Sequence, residues 1–257
     1  MKFDFTTKEY EKFFTYLKYI KFPIYTIRDW IIKNPSNGMI LRHDVDRNPK
    51  QSLRIAEISS ELGIAGTFNF RVLNNRIHEE IVVKITELGH EIGYHYEDLS
   101  IANGDMKLAI ELFDKNLQML RQFSDVKTAT MHGRPLSKFD NRDIWKFTKV
   151  ENFDLIGESY VSIDYTNLYY LTDTGRTWSE TKANLRDSAL NSIALPKSLG
   201  STEDIKNLID VNDNISIAIV FHPERWSSNH FQLFLQIILD FLSSTIKKML
   251  RIFRKLS

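Results

Sequence analysis

The most informative absence in this 257-residue sequence is cysteine, which does not occur at all. A chain without thiols forms no disulfide, has no thiolate nucleophile and binds no zinc or iron–sulfur cluster through sulfur. Any metal site must therefore be built from histidine, aspartate or glutamate. Glycine and proline are also scarce, with 10 and 6 residues, and this excludes a low-complexity or collagen-like chain.

A charge excess is absent as well, because 34 basic and 33 acidic residues leave a net charge of +1. Such a balance does not favour a nucleic-acid-binding protein. The N-terminal residues are acidic and aromatic where a signal peptide needs an apolar core, and no stretch has the apolar length of a bilayer span. We therefore expect a cytoplasmic protein, and its 42% of hydrophobic residues is sufficient for a large globular core.

Short apolar runs alternate with segments of helical periodicity, and this alternation predicts a parallel α/β sheet or barrel in one domain. Strands are predicted at Met39–Asp44, Gly66–Arg71, Glu91–Tyr96, Lys127–Met131, Asp154–Glu158, Ser192–Leu195 and Ser216–Phe221. Helices are predicted at Pro49–Leu62, Ile77–Leu88, Asp105–Phe123, Asn141–Lys149 and Thr202–Ile209. The segment Tyr160–Arg186 interrupts the alternation, so we predict an insertion or a long loop there. The domain boundaries that we expect are a helical extension over residues 1–38, the barrel over 39–228 and a basic amphipathic helix over 229–257.

Titratable side chains stand at the carboxyl ends of four of the seven predicted strands. Asp44 and Asp46 end the first strand, His95 ends the third, His132 follows the fourth and His222 follows the seventh. In parallel α/β barrels the active site is built at this rim from several strand ends. The pattern therefore predicts a polar site composed of these residues.

The segment His43–Asp46 offers two carboxylates on one face of a strand. Because side chains alternate between the faces, Arg42, Asp44 and Asp46 are expected to point the same way. Two close carboxylates need a metal or an arginine to offset their repulsion. One carboxylate could bind a metal while the other acts as a general base. The alternative is a strand end whose aspartate caps the next helix.

The run Gly89–Glu97 places His95 beside Gly93 and Glu97 on one face of the third strand. A glycine inside a strand leaves room for another group to approach the backbone. We expect His95 to be functional, whereas His90, at the entry of the strand, is expected to be a structural core residue.

Two further histidines stand beside turn residues. In the turn His132–Pro135 the side chain of Arg134 projects outward, and we expect it to pair with Asp44 and hold that carboxylate ionised. The alternative is an exposed surface arginine. In the segment Phe221–Trp226, His222 could act as an acid or base near neutral pH, or it could be a capping residue.

These segments, in this order, resemble the NodB-type polysaccharide deacetylases of carbohydrate esterase family four, over roughly Met39–Trp226. The resemblance implies a single-domain distorted (β/α) barrel of about seven parallel strands and a divalent metal, usually zinc. It also implies that Asp44 is the catalytic base, Asp46 a metal ligand, His95 the first metal histidine and His222 the catalytic acid.

The sequence departs from the family pattern at one metal ligand. The second histidine of the family is replaced by Leu99, which cannot bind a metal, while the arginine motif is matched loosely by Arg134. Three interpretations follow, namely that His132 replaces the ligand, that Glu97 binds instead, or that the metal site is lost. We favour His132, because two histidines and one carboxylate suit zinc.

A branch of the superfamily from surface-polysaccharide gene clusters is similar in five segments, which supports a variant site over a decayed one. These segments are His43–Asp46, Gly89–Gly93, His132–Gly133, Asp140–Arg142 and His222–Trp226.

The function that the resemblance implies is a metal-dependent hydrolase that removes an N- or O-acetyl group from an amino sugar or a surface-polysaccharide precursor. The candidate substrate contacts are Tyr160, Arg176, Trp178 and Trp226, although core packing is the alternative for each aromatic ring. The alternative function is a non-catalytic sugar-binding relative that has lost one metal ligand at Leu99.

The segment Phe231–Ser257 has the periodicity of an amphipathic helix and carries five basic residues and no acidic one after Asp240. This pattern is typical of a helix that contacts a membrane surface, here the inner face of the membrane. The alternative is a helix that packs on the barrel and frays at its end.

Overall fold

The computed structural model describes residues 4–134, 137–178, 189, 191–196, 199–228, 231, 233 and 234. The α-helices are α1 Thr7–Tyr19, α2 Ile27–Lys33, α3 Pro49–Glu61, α4 Glu79–Glu87, α5 Asp98–Ile101, α6 Met106–Arg121 and α7 Thr202–Asp210. The strands are β1 Ile24–Tyr25, β2 Gly38–Val45, β3 Thr67–Phe70, β4 Glu91–Tyr96, β5 Thr128–Met131, β6 Gly157–Glu158, β7 Tyr169–Thr172 and β8 Ser216–Phe221. Three short 3-10 helices cover Asn141–Lys146, Val150–Phe153 and Pro223–Arg225.

The strands form one parallel sheet in the order β6-β5-β4-β3-β2-β8-β7, with β1 paired to the start of β2. The seven strands of this order curl into a half-barrel with helices around it, which confirms the predicted α/β class and the distorted barrel of about seven parallel strands. All the pairings are parallel, so the carboxyl ends of the strands lie at one rim. Strand β2 is central and buried along its whole length.

One predicted strand is wrong. The run Ser192–Leu195 forms only an isolated bridge between Ile193 and Tyr169, while the edge strand β7 lies at Tyr169–Thr172, inside the segment predicted to be an insertion. Tyrosine and threonine have high strand propensity, so the composition of that segment is compatible with a strand. A short apolar run such as Ser192–Leu195 is too short for periodicity to decide its structure.

Most of the predicted helices are present and begin and end near the predicted residues. Helix α3 begins with Pro49 after an Asn48 cap, whose side chain accepts a hydrogen bond from the Gln51 backbone. The helix predicted over Asn141–Lys149 is instead a 3-10 helix that ends at Lys146.

The N-terminal helix α1 is part of the main hydrophobic core. It buries Tyr10, Phe13, Phe14 and Leu17 completely. The Tyr10 hydroxyl lies 2.9 Å from Nε2 of His43 and therefore links the helix to the central strand.

The C-terminal segment 229–257 lies outside the described residues, apart from Phe231, Leu233 and Phe234. Its predicted helix and membrane contact therefore stay predictions. Within the part of the chain that the structure describes, no helix has the length and hydropathy needed to cross a membrane.

Candidate metal centre and active site

Three potential metal ligands converge at the carboxyl rim of the sheet. Oδ1 of Asp46 lies 3.4 Å from Nε2 of His95 and 3.5 Å from Nε2 of His132. The three ligand atoms all lie within 4.8 Å of one another. Asp46 follows β2, His95 belongs to β4 and His132 follows β5, so the parallel sheet brings together residues that are far apart in the sequence.

Both histidines are held by their other ring nitrogen. Nδ1 of His95 lies 3.0 Å from the carbonyl oxygen of Thr130, and Nδ1 of His132 lies 3.0 Å from Oε2 of Glu97. Metal-binding histidines are usually oriented in this way by a carbonyl or a carboxylate. In both cases Nε2 is the nitrogen that faces Asp46.

Glu97 therefore orients a histidine in this structure. It also accepts hydrogen bonds from the guanidinium of Arg71. Burial would raise the pKa of Glu97, but His132 and Arg71 lower it to about 2. The carboxylate is therefore ionised at neutral pH and holds the Nδ1 proton of His132.

The three residues fit a divalent metal. Oδ1 of Asp46 is buried and has no hydrogen-bond partner among the described residues. Burial would raise the pKa of Asp46, but His95 and His132 hold it well below its usual range. One carboxylate and two neutral imidazoles are a donor set that zinc and similar ions prefer. Leu99 is only 3% exposed and packs in the hydrophobic core.

Asp44 lies beside this cluster and is held by an arginine of its own strand. Nε and Nη2 of Arg42 donate to the two oxygens of Asp44 at 2.9 and 2.6 Å, and Nδ2 of Asn69 donates to Oδ1 at 2.9 Å. Burial would raise the pKa of Asp44, but Arg42 holds it well below its usual range. Asp44 is therefore a buried, oriented and ionised carboxylate, and its Oδ2 lies 3.6 Å from Nε2 of His95.

The expected pairing of Arg134 with Asp44 is wrong. Nε of Arg134 lies 3.3 Å from Oε2 of Glu97 instead, and its side chain is 45% exposed. Arg42 instead pairs with Asp44 and keeps it ionised. Residues two apart on a strand share a face, so the Arg42 guanidinium can donate to both oxygens of the Asp44 carboxylate.

His222 follows β8 and is anchored by Asp173, which follows β7. Nδ1 of His222 lies 2.6 Å from Oδ1 of Asp173. The other oxygen of Asp173, Oδ2, accepts hydrogen bonds from the backbone N–H of His222 and from the indole N–H of Trp226. Burial would lower the pKa of His222, but Asp173 raises it to about 10. His222 is therefore protonated at neutral pH, and Nε2 is the nitrogen left to act on a substrate.

The four predicted substrate contacts have different surroundings. Trp178 and Trp226 are completely buried in an aromatic cluster with Phe221, so their rings cannot form a sugar platform. Nη1 of Arg176 donates to the backbone oxygen of Arg225 at 2.8 Å and so supports the loop after His222.

Tyr160 is partly exposed and lies at the rim, two residues after β6. The guanidinium carbons of Arg42 and Arg142 lie 4.9 and 5.5 Å from its ring centroid. Its hydroxyl lies 3.0 Å from that of Tyr170.

Sequence reasoning missed the roles of Asn69, Asp173 and Arg42. The spacing of Arg42 and Asp44 on one strand face contained the signal for their pairing. Asn69 is the Cα partner of Asp44 across the β2–β3 pairing, and Asp173 meets His222 across the β7–β8 pairing. These two contacts depend on strand register, which the sequence does not show.

Comparisons with known proteins found similar folds among solved structures. No family model matches the chain, and no curated protein matches it. The structure is similar to a family 4 carbohydrate esterase (CE4) from Streptococcus mutans, with 13% identity, a TM-score of 0.46 and coverage of 88% of this chain and 91% of that one. It is also similar to a CE4-family pseudoenzyme from Bacillus anthracis, with 13% identity, a TM-score of 0.41 and coverage of 82% and 60%. A peptidoglycan deacetylase from Bacillus subtilis has 13% identity and a TM-score of 0.40, with coverage of 82% and 97%. Similarity at this level of identity concerns the fold alone.

Proposed function

We propose that this protein is a metal-dependent deacetylase that removes an N- or O-acetyl group from an amino sugar or a surface-polysaccharide precursor. The observation that supports this proposal is the convergence, at one rim, of a three-ligand cluster, an ionised carboxylate and a protonated histidine. The cluster consists of Asp46, His95 and His132, the carboxylate is that of Asp44, and the protonated histidine is His222. A metal-assisted hydrolysis needs a base, an acid and a Lewis acid, and this site contains a candidate base, a candidate acid and three side chains that would hold a metal.

The ligands of the metal are Asp46, His95 and His132, and zinc is the ion that we favour. Once bound, a divalent ion supplies a Lewis acid for the acetyl carbonyl and lowers the pKa of water. The histidine contacts to Thr130 and Glu97 keep both Nε2 atoms aimed at that position.

Asp44 is the general base in this proposal. Arg42 and Asn69 hold its carboxylate in one orientation, so it is ready to accept a proton from the attacking water. Since Arg42 keeps Asp44 ionised, the base is available over a wide pH range.

His222 is the general acid in this proposal. The nitrogen of an N-acetyl group must be protonated to leave as a neutral amine, because an amide anion is a very poor leaving group. His222 carries a proton that Nε2 can donate to this nitrogen. The contact between Nδ1 and Asp173 holds the ring while that proton leaves.

The alternative function is a non-catalytic sugar-binding protein, and one observation favours it. Leu99 occupies the position at which the family motif has a second histidine, so the site depends on His132 instead. The Glu97 contact that orients His132 supports a working variant site over a decayed one.

Acetate release from N-acetylglucosamine and its oligomers, measured with the zinc-loaded protein, tests the proposal. We expect turnover by the parent protein and loss of turnover in Asp44→Asn, which keeps the shape of the side chain. The control is Asp164→Asn, since Asp164 is exposed and pairs only with the nearby Thr166 among the described residues. Sugar binding without acetate release would support the alternative function.

A further inference from the structure

Arg42, the residue that holds the proposed base Asp44, is itself contacted by two tyrosines. The carbon Cζ of its guanidinium lies 4.9 Å from the centroid of the Tyr160 ring, and its Nη1 donates a hydrogen bond to the Tyr170 hydroxyl at 3.4 Å. The two hydroxyls lie 3.0 Å from each other. Nε and Nη2 of the same guanidinium donate to Asp44. The tyrosines therefore contact the part of Arg42 that does not contact the base.

The guanidinium needs such contacts because it is buried. Arg42 is only 3% exposed, so little water is available to it. A cation within about 6 Å of the centroid of an aromatic ring is attracted to the ring face, and more strongly where water is excluded. Donation to both oxygens of Asp44 requires one orientation of the guanidinium plane. Groups that fix this plane therefore affect the base.

The position of Tyr160 is set by the sheet. Its backbone N–H donates to Oε2 of Glu158 at 2.8 Å, and the next N–H, that of Val161, donates to the same oxygen at 3.0 Å. Oε1 of Glu158 accepts from the backbone N–H of Met131 at 2.9 Å. Glu158 is completely buried and ends β6, while Met131 ends β5. The turn that carries the Tyr160 ring is therefore attached to two strands.

The two tyrosines come from opposite ends of the sheet. Tyr160 lies two residues after β6 and Tyr170 belongs to β7, which are the first and last strands of the order β6-β5-β4-β3-β2-β8-β7. Arg42 belongs to β2, an inner strand of this order. Because the sheet curls, groups from its two ends can meet the side chain of an inner strand. The contact between the hydroxyls joins the two ends of the half-barrel beside Arg42.

The surroundings of Tyr160 also affect its predicted role as a substrate contact. The guanidinium carbon of Arg142 lies 5.5 Å from its ring centroid, and Arg142 is itself fixed by two contacts with Asp140. The Tyr160 hydroxyl contacts Tyr170. A ring face that a guanidinium covers is not available to a sugar, so these contacts favour a supporting role for Tyr160.

We infer that Tyr160 and Tyr170 are positioning residues, which act on the reaction by keeping the Arg42 guanidinium on the Asp44 carboxylate. The inference rests on the proposed deacetylase function, in which Asp44 is the base. It replaces the expectation that Tyr160 contacts the substrate. A group that orients the base stabilises the transition state and not the bound substrate, so its loss changes kcat and leaves KM unchanged.

The first test measures kcat and KM for N-acetylglucosamine with the zinc-loaded protein. Tyr160→Leu removes the ring and should lower kcat by roughly tenfold or more, while KM changes by less than about twofold. Tyr160→Phe keeps the ring beside Arg42 and should recover most of the kcat. The matched control is Tyr19→Leu, at an 83% exposed position, which should equal the parent protein. A raised KM at unchanged kcat in Tyr160→Leu, or parent values for both, would overturn the inference.

A double-mutant cycle tests whether Tyr160 acts through Arg42. In Arg42→Lys the two-pronged contact with Asp44 is already lost, so the addition of Tyr160→Leu should lower kcat further by less than about twofold. Independent effects would multiply, and a full additional loss would therefore overturn the inference.

Proton exchange of the Arg42 side chain gives a readout that needs no turnover. Its Nε–H donates to buried Asp44 at 2.9 Å, so NMR should find this proton protected from exchange with water in the parent protein. Tyr160→Leu should speed its exchange by roughly tenfold or more, whereas Tyr160→Phe should not. The Nε–H of Arg121, which donates to the backbone oxygen of Val126, is the internal control and should keep its rate. The Arg42 signal is assigned by its absence from Arg42→Lys.

Tyr170→Phe is the second variant, and it decides the question if thermal unfolding shows that Tyr160→Leu is not folded. It keeps both rings and removes the acceptor of Nη1 of Arg42. It should lower kcat by roughly threefold or more at unchanged KM and speed the exchange of the Arg42 proton. A kcat and an exchange rate equal to those of the parent protein would then overturn the inference.

The outcomes separate this inference from the proposed function. Turnover by the parent protein with equal exchange rates in the parent and Tyr160→Leu would overturn the inference and leave the deacetylase intact. No acetate release by the parent from N-acetylglucosamine or its oligomers would overturn the proposed function. In that case faster exchange in Tyr160→Leu would still support the tyrosines as the groups that hold Arg42 on Asp44, and equal exchange would reject them.

Discussion

At the scale of single residues, the orientation of Asp44 is the feature on which the proposed chemistry depends most. Its carboxylate is held by Arg42 along the strand and by Asn69 across the sheet. Gly93, on the next strand, is the Cα partner of Asn69, and a Cβ atom at this position would overlap with Oδ1 of Asn69. The glycine therefore leaves the space that the asparagine side chain occupies.

Gly93→Ala should reduce kcat/KM for deacetylation by roughly 10- to 100-fold, because it displaces Asn69 and with it the Asp44 carboxylate. The control is Gly200→Ala, where the added Cβ would lie 3.8 Å from the closest side-chain atom, an ordinary contact. Equal kcat/KM values for the two variants would contradict the role of Asn69.

Arg42→Lys should also reduce kcat/KM by roughly tenfold or more, since an ammonium group cannot replace the two-pronged contact with Asp44. The comparison is Arg134→Lys, which we expect to have a small effect because the Arg134 side chain is 45% exposed and only its Nε lies near one oxygen of Glu97, at 3.3 Å. A larger loss in Arg134→Lys than in Arg42→Lys would contradict the assignment. Thermal unfolding of both variants checks that they are folded.

At the scale of elements, the pairing of β7 with β8 sets the proton affinity of the proposed acid. Asp173 directly follows β7, and His222 directly follows β8. Because Asp173 raises the pKa of His222, its removal should let that pKa fall.

Asp173→Asn should therefore move the alkaline limb of the pH profile of kcat to lower pH, by about 1–3 pH units. The sign follows because the acid is active when protonated, and a lower pKa means that it loses its proton at lower pH. Asp164→Asn serves as the control and should leave the limb unchanged. A profile of Asp173→Asn identical to that of the parent protein would show that His222 is not the acid.

Helix α1 is joined to the central strand by a buried polar contact. The Tyr10 hydroxyl lies between Nε2 of His43 and Oγ of Ser59, at 2.9 and 2.8 Å. Tyr10→Phe leaves these two groups without that partner, so it should lower the free energy of unfolding by about 1–3 kcal/mol in chemical denaturation. Tyr19→Phe, at an 83% exposed position, should have no measurable effect. If the two variants were equally stable, this contact would contribute nothing to the fold.

The sequence predicts those site residues that a local pattern marks. It does not predict partners that are distant in the sequence and that meet only when the strands pair. Asp44, His95 and His222 are predictable because each stands at the end of a clear apolar run. The partner of His222 is not predictable, because Asp173 follows an edge strand hidden in a segment rich in tyrosine and threonine. The projecting turn at His132–Pro135 suggests Arg134 as the partner of Asp44, whereas the strand alternation places Arg42 on the same face as Asp44.

At the scale of the whole molecule, the parallel sheet determines the site, because it brings the carboxyl ends of its strands to one rim. The ligands Asp46, His95 and His132 come from positions up to 86 residues apart in the chain. Alternating apolar and helical segments are sufficient to predict this class of fold. They do not predict which histidine replaces a missing ligand, since that depends on the Glu97 contact that orients His132.

Metal content, measured by plasma mass spectrometry on protein purified without a chelator or a metal-affinity tag, tests the central claim most directly. The parent protein, after loading with zinc and removal of unbound ions, should contain about one ion per chain. His132→Ala should lose this ion, whereas His78→Ala, at an exposed position, should keep it. A parent protein that retains no ion after loading with zinc, cobalt or nickel, or a His132→Ala variant that retains a full equivalent, would contradict the account.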